Sequence, residues 1–193
     1  KDEVVLVTGA AGQLGSQIVL GLVESDAKVI ALDLDLELLQ EKKLNLDWNE
    51  DVFLVKADIT KRNQVKQAYS KGIDQFGKVT SLVANAGVSV FEDFLERKEE
   101  SIDFVMDVNL KGSIFCVQEF LTNLNQSSLG SIVFTGSFYG IISPDPRIYS
   151  EGDRKNSEIY GASKAGIIQM AKYYAVHASE YGIRSNSISP GGI

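Results

Sequence analysis

The sequence has very few of the residues that build metal sites and disulfides. Its 193 residues include one cysteine, Cys116, and one histidine, His177. A single cysteine cannot form an internal disulfide, and its position in the apolar run Ile114–Val117 predicts a buried core thiol. We expect His177 on the surface of a helix. The sequence therefore predicts no metal site.

A long apolar segment and an excess of positive charge are also absent. No apolar run approaches the roughly 20 residues of a membrane-spanning helix, and the first residues lead directly into an apolar strand instead of a signal-peptide core. With 19 basic and 26 acidic residues the net charge is -7. This argues against binding to nucleic acid or an anionic membrane, although it leaves open a local basic pocket. We predict a cytoplasmic protein whose partner is a small-molecule substrate.

What the sequence does contain is a regular alternation of short β-branched runs and amphipathic helical patterns. This alternation predicts a single α/β domain, with a doubly wound parallel sheet and helices on both faces. The predicted strands span residues 3–7, 28–32, 52–56, 80–84, 131–135 and 183–188. The predicted helices span residues 13–24, 35–44, 61–76, 101–125 and 157–181.

A glycine-rich segment, TGAAGQLG, connects the first strand to the first helix. Gly9, Gly12 and Gly15 permit a tight turn, close approach of the backbone to a pyrophosphate, and close helix packing. Asp33 ends the next strand, where a carboxylate accepts the ribose hydroxyls of NAD and repels the 2′-phosphate of NADP. Leu34 follows where an arginine would favour NADP, so we predict NAD. The alternatives are a glycine turn without a ligand and an acid, Asp33 or Asp35, that only caps the next helix.

The segment IYGASKAGI places Tyr160 and Lys164 one helical turn apart on one face. Such a pair is common on a half-solvated helix surface, and this is one interpretation. The other is chemical, because a neighbouring cation favours the ionised form of a phenol, which can then exchange protons with an alcohol or a carbonyl.

Taken together and in order, these motifs resemble the short-chain dehydrogenase/reductase family over the whole chain. The segment NAG follows the fourth strand, ADIT contains the pair that flanks the adenine, and MDVNLKG carries the helix asparagine. FTGS carries the family's serine, and SPGGI is similar to the loop that contacts the nicotinamide. The resemblance implies a Rossmann-type NAD(P)-binding domain over residues 1–193. The implied cofactor-binding residues are Gly9, Gly12, Gln13, Leu14, Gly15, Asp33, Asp58, Ile59, Asn85, Ala86, Gly87, Tyr160, Lys164, Pro190, Gly191 and Ile193.

The resemblance also implies a mechanism and an assembly. Tyr160 would be the general acid or base, and Lys164 would support its ionisation and hold the nicotinamide ribose. Ser137 would position the substrate oxygen, and Asn109 would break the helical ladder and hold a water of a proton relay. In the family the helices that carry Asn109 and Tyr160 pack against a partner subunit. Their apolar residues favour a homodimer or homotetramer; these are Phe104, Phe115, Phe120, Ile168, Tyr173 and Tyr174.

Three departures from the family pattern qualify this interpretation. The glycine spacing is that of the extended branch, which includes nucleotide-sugar epimerases and dehydratases. The interval between Ser137 and Tyr160 is long, and the loop at 141–156 resembles those of bacterial oxidoreductases of flagellin or surface-sugar modification. Family members also continue past position 193, so we expect the domain to be incomplete at its C-terminus. A sugar-derived substrate, an epimerase or dehydratase, and a non-catalytic dinucleotide-binding regulator remain alternatives.

Overall fold

The structure is a computed structural model that describes residues 3–124, 129–145, 147 and 156–192. Ile193, one of the predicted cofactor contacts, lies outside the described residues, as does most of the loop at 141–156.

A six-stranded parallel sheet forms the centre of the fold. The strands are β1 (Val4–Thr8), β2 (Lys28–Asp33), β3 (Val52–Lys56), β4 (Ser81–Ala84), β5 (Gly130–Thr135) and β6 (Ile183–Ile188). Their order in the sheet is β3-β2-β1-β4-β5-β6. The chain places β2 and then β3 on one side of β1, and β4, β5 and β6 in turn on its other side. The direction of winding therefore reverses between β1 and β4. In sheets of this kind ligands bind at the carboxyl ends of the strands beside that reversal.

Helices cover both faces of the sheet. They are α1 (Gln13–Glu24), α2 (Leu36–Asn45), α3 (Arg62–Phe76), α4 (Glu99–Met106), α5 (Ser113–Thr122) and α6 (Glu158–His177). Short 3₁₀ turns follow β5 at Phe138–Gly140 and α6 at Ser179–Tyr181. The predicted doubly wound α/β fold is confirmed, including the bounds predicted for β3, β6 and α1.

One predicted helix, 101–125, is divided in the structure. It begins two residues earlier, at Glu99, and a π-helical segment at Asp107–Gly112 separates α4 from α5. Asn109 is buried in this segment, so the local break expected at this asparagine is present. The predicted helix 157–181 also ends earlier, at His177, and the 3₁₀ turn at Ser179–Tyr181 follows it.

The core has two parts, one on each face of the sheet. Val4 and Leu6 of β1 pack on the face covered by α3, α5 and α6, while Val5 and Val7 pack on the face of α1 and α2. Such burial of both faces explains why the strand sequences are continuously apolar. The predicted burial of Cys116 is confirmed, and this burial raises the pKa of the thiol to about 12.

Two surface predictions have different outcomes. His177 is exposed and lies against the ring of Tyr173, with 4.1 Å between centroids, as expected of a helix-surface residue. Phe120, in contrast, is completely buried in the protein's own core, and Tyr174 stacks on Phe134. These two aromatic residues therefore do not contribute to an exposed apolar surface as predicted, because α5 and α6 use them to cover the sheet. Among the described residues, no helix combines the length and apolar character needed to cross a membrane.

Candidate active site

The glycine segment packs so closely that side chains are excluded at two of its three glycines. Gly9 has φ 64°, and a Cβ atom there would lie 2.8 Å from Cα of Ala86. At Gly15 a Cβ atom would lie 2.0 Å from the carbonyl oxygen of Gly9. Gly12 is the N-cap of α1 and has more space, with 3.3 Å to the same oxygen. The close packing brings the N-terminus of α1, which attracts anions, to the edge of the sheet beside β1.

Asp33 and Asp35 have different partners. The Oδ2 atom of Asp33 accepts a hydrogen bond from the backbone N–H of Ala11 at 2.9 Å, and Oδ1 accepts one from that of Asp35 at 3.2 Å. Asp35 caps α2, because its Oδ1 accepts from the N–H of Leu38 at 3.0 Å. The capping alternative therefore holds for Asp35 and not for Asp33. The two bonds to Asp33 fix its carboxylate at the end of β2, beside the glycine segment.

Asp58 is held in a tight turn after β3. Its Oδ1 accepts hydrogen bonds from the N–H and the hydroxyl of Thr60, at 2.9 and 2.7 Å. The N–H of Asp58 donates to Oε1 of Gln64 at 2.8 Å. These bonds fix the position of the following residue, Ile59, whose side chain is buried.

Asn85 joins the ends of three strands. Its Nδ2 donates to the carbonyl oxygens of Thr8 and Gly9, at 3.1 and 3.2 Å, and its Oδ1 accepts from the hydroxyl of Thr135 at 3.1 Å. Thr8 adds a further link, because its hydroxyl accepts from the N–H of Ala86 at 3.0 Å. The side chain of Asn85 thus sets the shape of the edge where β1, β4 and β5 end.

Lys164 is a buried cation on the inner side of α6. Its Nζ donates to the carbonyl oxygen of Thr135 at 2.7 Å and lies 5.7 Å from the centroid of the Tyr160 ring. Burial lowers the pKa of Lys164 to about 8. Gly87 leaves the room that this ammonium needs, since a Cβ atom at Gly87 would lie 3.1 Å from Nζ.

Tyr160 and Ser137 are placed by local capping bonds. Tyr160 lies in the first turn of α6, where its N–H donates to the Oγ of Ser157 at 3.1 Å. Ser137 follows β5, and its Oγ accepts from the N–H of Tyr139 at 3.1 Å. Both residues line the same cavity as Lys164. The structure thus brings a phenol, a hydroxyl and an ammonium together at the carboxyl edge of the sheet.

Asn109 lies behind the cavity and does not line it. Its Oδ1 accepts from the N–H of Val88 at 2.8 Å, and its Nδ2 donates to the carbonyl oxygen of Val88 at 3.1 Å and to Oγ of Ser163 at 2.8 Å. The side chain is therefore engaged with the protein at both polar atoms. Any water held by this residue would have to bind elsewhere than at the side chain, and the relay role stays a prediction.

The cavity has a volume of about 730 Å³, which is within the usual range for a small-molecule site. All predicted cofactor-binding residues among the described residues line it, from Gly9 at one end to Gly191 at the other. Their roles stay predictions. Sequence reasoning missed further lining residues: Ala11, Leu32, Leu38, Ala57, Val88, Ser89, Phe104, Val108, Thr135, Gly136 and Asn156. Most of them are sequence neighbours of a recognised motif, and this proximity could have predicted that they line the cavity. Val108 lies within the segment MDVNLKG, whereas Phe104 lies outside every recognised motif and reaches the cavity only through the packing of α4.

A nicotinamide dinucleotide fits the residues of this cavity. The close-packed glycines leave backbone exposed at the N-terminus of α1 for a pyrophosphate, and the carboxylate of Asp33 lines the cavity as an acceptor for hydroxyl groups. Among the described residues, no group of three or more histidine, cysteine or acidic side chains could hold a metal ion.

Comparison with known proteins gives consistent matches over the chain. Residues 3–193 match the family model described as short chain dehydrogenase. The 3-oxoacyl-[acyl-carrier-protein] reductase FabG of Thermotoga maritima is 33% identical over 100% of this chain and 75% of its own length. The cis-2,3-dihydrobiphenyl-2,3-diol dehydrogenase of Pseudomonas putida is 34% identical over 99% of this chain and 66% of its own. A crystal structure of a short chain dehydrogenase from Leptospira borgpetersenii with bound NAD+ is 36% identical, with a TM-score of 0.88 over 100% of this chain and 72% of that one.

Proposed function

The chain belongs to the short-chain dehydrogenase family and is an oxidoreductase that acts on CH–OH groups, and from this premise we propose that it uses NAD, with Tyr160 as the general acid and base. The position of Lys164 is the main support for the role of Tyr160. Its ammonium is buried beside the Tyr160 ring and fixed by the carbonyl of Thr135. A surface pair, the alternative for these two residues, would leave the lysine in solvent.

Each of the four candidate catalytic residues then has its own task. Tyr160 donates a proton to the substrate oxygen in reduction and accepts one in oxidation. Lys164 stabilises the negative charge on the phenol oxygen when the proton leaves, because the buried ammonium is little screened by water. Ser137 binds the substrate oxygen and stabilises charge that develops on it. Asn109 holds the chain at Val88, next to the lining residue Ser89.

The cofactor would be held along the whole edge of the sheet. Gly9, Gly12 and Gly15 would receive the pyrophosphate, Asp33 the adenosine ribose, and Lys164 the nicotinamide ribose. Asp58 and Ile59 would flank the adenine. When bound, the nicotinamide supplies or accepts the hydride, and the protein orients it.

The preference for NAD depends on Asp33. Its carboxylate is fixed by two backbone N–H groups and lines the cavity. A 2′-phosphate at this position would meet a negative charge, and the exposed Leu34 offers no compensating cation. The bound NAD+ of the Leptospira protein supports this assignment.

We propose the substrate only as a chemical class, a small molecule with an alcohol or carbonyl group. A sugar derivative is one candidate within this class. The two named relatives are a 3-oxoacyl-[acyl-carrier-protein] reductase and a cis-2,3-dihydrobiphenyl-2,3-diol dehydrogenase. A substrate panel should therefore contain β-keto thioesters, cis-dihydrodiols and keto-sugars, with absorbance of the reduced nicotinamide as the readout. NAD that stays bound through purification would instead favour an epimerase or dehydratase, in which the cofactor is recycled.

The test of the mechanism is Tyr160→Phe, which removes the hydroxyl and keeps the ring. We expect turnover to fall by about a hundredfold or more, the usual effect of losing a general acid or base, while NAD affinity stays nearly unchanged. Tyr181→Phe, at an exposed tyrosine that does not line the cavity, is the matched control. Retention of most of the turnover in Tyr160→Phe would contradict the proposal and favour the non-catalytic regulator.

A further inference from the structure

Arg97 is a buried arginine outside the cavity lining. It lies between β4 and α4, and only 3% of its side chain is exposed. Its Nε and Nη2 donate to the two carboxylate oxygens of Glu158 at 2.6 and 3.1 Å. Nη2 also donates to the carbonyl oxygen of Glu92 at 3.0 Å, and Nη1 to that of Val90 at 3.4 Å. The guanidinium is thus surrounded by acceptors of the protein itself.

Glu158 connects this arginine to the candidate catalytic helix. It is the first residue of α6, two positions before Tyr160, and 58% of its side chain is exposed. The hydrogen bonds from Arg97 lower the pKa of the Glu158 carboxyl. An ion pair with one exposed member contributes little free energy when both members can return to water. Here the side chain of Arg97 is buried, and removing Glu158 leaves it with one carboxylate, that of Glu92, 3.6 Å from Nη1.

The same arginine organises the segment of residues 88–98, the β4–α4 loop. Glu92 pairs with Nη1 of Arg97 at 3.6 Å and accepts a hydrogen bond from the hydroxyl of Ser101 in α4 at 2.9 Å. At the other end of the loop, Val88 and Ser89 line the cavity. One loop therefore forms a wall of the cavity and, through Arg97, is bonded to the first turn of α6.

We propose that Arg97 is a positioning residue that holds the β4–α4 loop against the first turn of α6 and thereby sets the position of the Tyr160 hydroxyl relative to the substrate. The inference rests on the proposed role of Tyr160. The reacting atoms must be held closely, since a displacement of about 1 Å can cost about a hundredfold in rate. Arg97 has no part in binding substrate, because its donors are directed at Glu158 and at the loop's carbonyl groups.

The test compares two ion pairs that each join one exposed and one buried side chain. In the pair of Arg97 and Glu158 the exposed partner is Glu158. In the pair of Arg62 and Glu119, 3.7 Å apart and away from the cavity, the exposed partner is Arg62, with side-chain exposures of 59% and 8%. Arg62→Ala removes the partner of the buried Glu119 carboxylate, and Glu158→Ala removes the hydrogen-bonded partner of Arg97, which keeps the more distant Glu92. Their kcat, KM, NAD affinity and melting temperature are measured together with those of Glu158→Gln, Arg97→Ala and the double variant Arg97→Ala/Glu158→Ala.

We expect Glu158→Ala to lower kcat by about tenfold or more and to change NAD affinity by less than about twofold. Arg62→Ala should lower the melting temperature by a similar amount to Glu158→Ala but leave kcat unchanged. Glu158→Gln should recover part of kcat, because its amide oxygen can still accept from Nε. The double variant should be no slower than the slower single variant, since both changes break one contact. Hydrogen exchange in residues 157–161 should be faster in Glu158→Ala than in Arg62→Ala.

Two outcomes would overturn the inference: equal kcat in Glu158→Ala and wild type, or rate losses that add in the double variant. Wild type and Tyr160→Phe are assayed beside them. If Tyr160→Phe is as active as wild type, the proposed function fails. If Tyr160→Phe is inactive while Glu158→Ala is fully active, only the positioning role of Arg97 fails.

Discussion

At the scale of single residues, the burial of Lys164 has a consequence for stability. Its pKa is lowered by burial to about 8 from an ordinary value of 10.5. Between these two pH values the folded protein has released this proton while the unfolded chain still binds it. Because the unfolded state then binds more protons, the contribution of Lys164 to stability rises with pH across this window. Below about pH 8 the folded state carries the cost of a buried charge.

The measurement is the free energy of unfolding in urea, between pH 7 and 11, for wild type and Lys164→Met. We expect the wild type to gain stability relative to Lys164→Met as pH rises from about 8 to 10.5, by on the order of 3 kcal/mol at most. The difference between the two proteins removes the other titrating groups. A difference that is constant over this pH range would contradict the assigned burial of the charge.

Asp33 is the residue at which cofactor choice can be tested. We expect wild type to bind NAD at least about ten times more tightly than NADP, since an uncompensated pair of like charges costs on the order of 1–3 kcal/mol. The double change Asp33→Ala with Leu34→Arg should narrow or invert that ratio, as measured by titration calorimetry. Asp35→Ala is the control, because Asp35 caps α2 and should affect stability more than cofactor choice. Equal wild-type affinities would contradict the assignment.

At the scale of elements, the π-helical segment is where local structure and the candidate site meet. Asn109 satisfies the backbone N–H and carbonyl of Val88 and also the hydroxyl of Ser163. Asn109→Ala would leave the half-buried N–H and carbonyl of Val88 without these partners, at about 1–3 kcal/mol for each group, whereas the hydroxyl of Ser163 would still donate to the carbonyl of Tyr160. We expect a loss of about 2 kcal/mol or more in urea unfolding.

The control for this change is Asn123→Ala at the end of α5, an exposed residue whose Nδ2 donates to a single carbonyl, that of Glu119. We expect a loss below about 1 kcal/mol there. Equal losses in the two variants would mean that the contacts of Asn109 do not stabilise the π-helical segment.

The sequence predicts most elements because each has a strong periodic pattern, and strand β3 and helix α1 have their predicted bounds. It also predicts the cavity well, since glycines and acids at strand ends meet at one edge of a parallel sheet. Three features could not be predicted from the sequence. The side-chain partners of Asn109 depend on a loop distant in the chain, and the cavity contact of Phe104 depends on how α4 packs. Arg97 has no motif at all, and only its burial distinguishes it from a surface arginine.

At the scale of the whole molecule, the exposed apolar side chains of α4 and α6 bear on assembly. Ile102 and Phe104 are exposed on α4, and Tyr173 and Val176 are exposed on α6, which packs against α4. The prediction of a homodimer or homotetramer included Phe120 and Tyr174, but these cover the protein's own sheet. The remaining exposed residues still give these two helices an apolar surface that an oligomer interface would bury.

We therefore expect light scattering at micromolar concentration to give the mass of a dimer or tetramer. Val176→Asp should shift the protein toward monomer, because association would bury the new carboxylate without a partner. Leu44→Asp, at a comparably exposed leucine of α2 on the other face of the sheet, should leave the mass unchanged. A wild-type monomer would contradict the prediction. An equal shift in both variants would place the interface elsewhere, because only a contact through α4 and α6 makes position 176 more sensitive to charge than position 44.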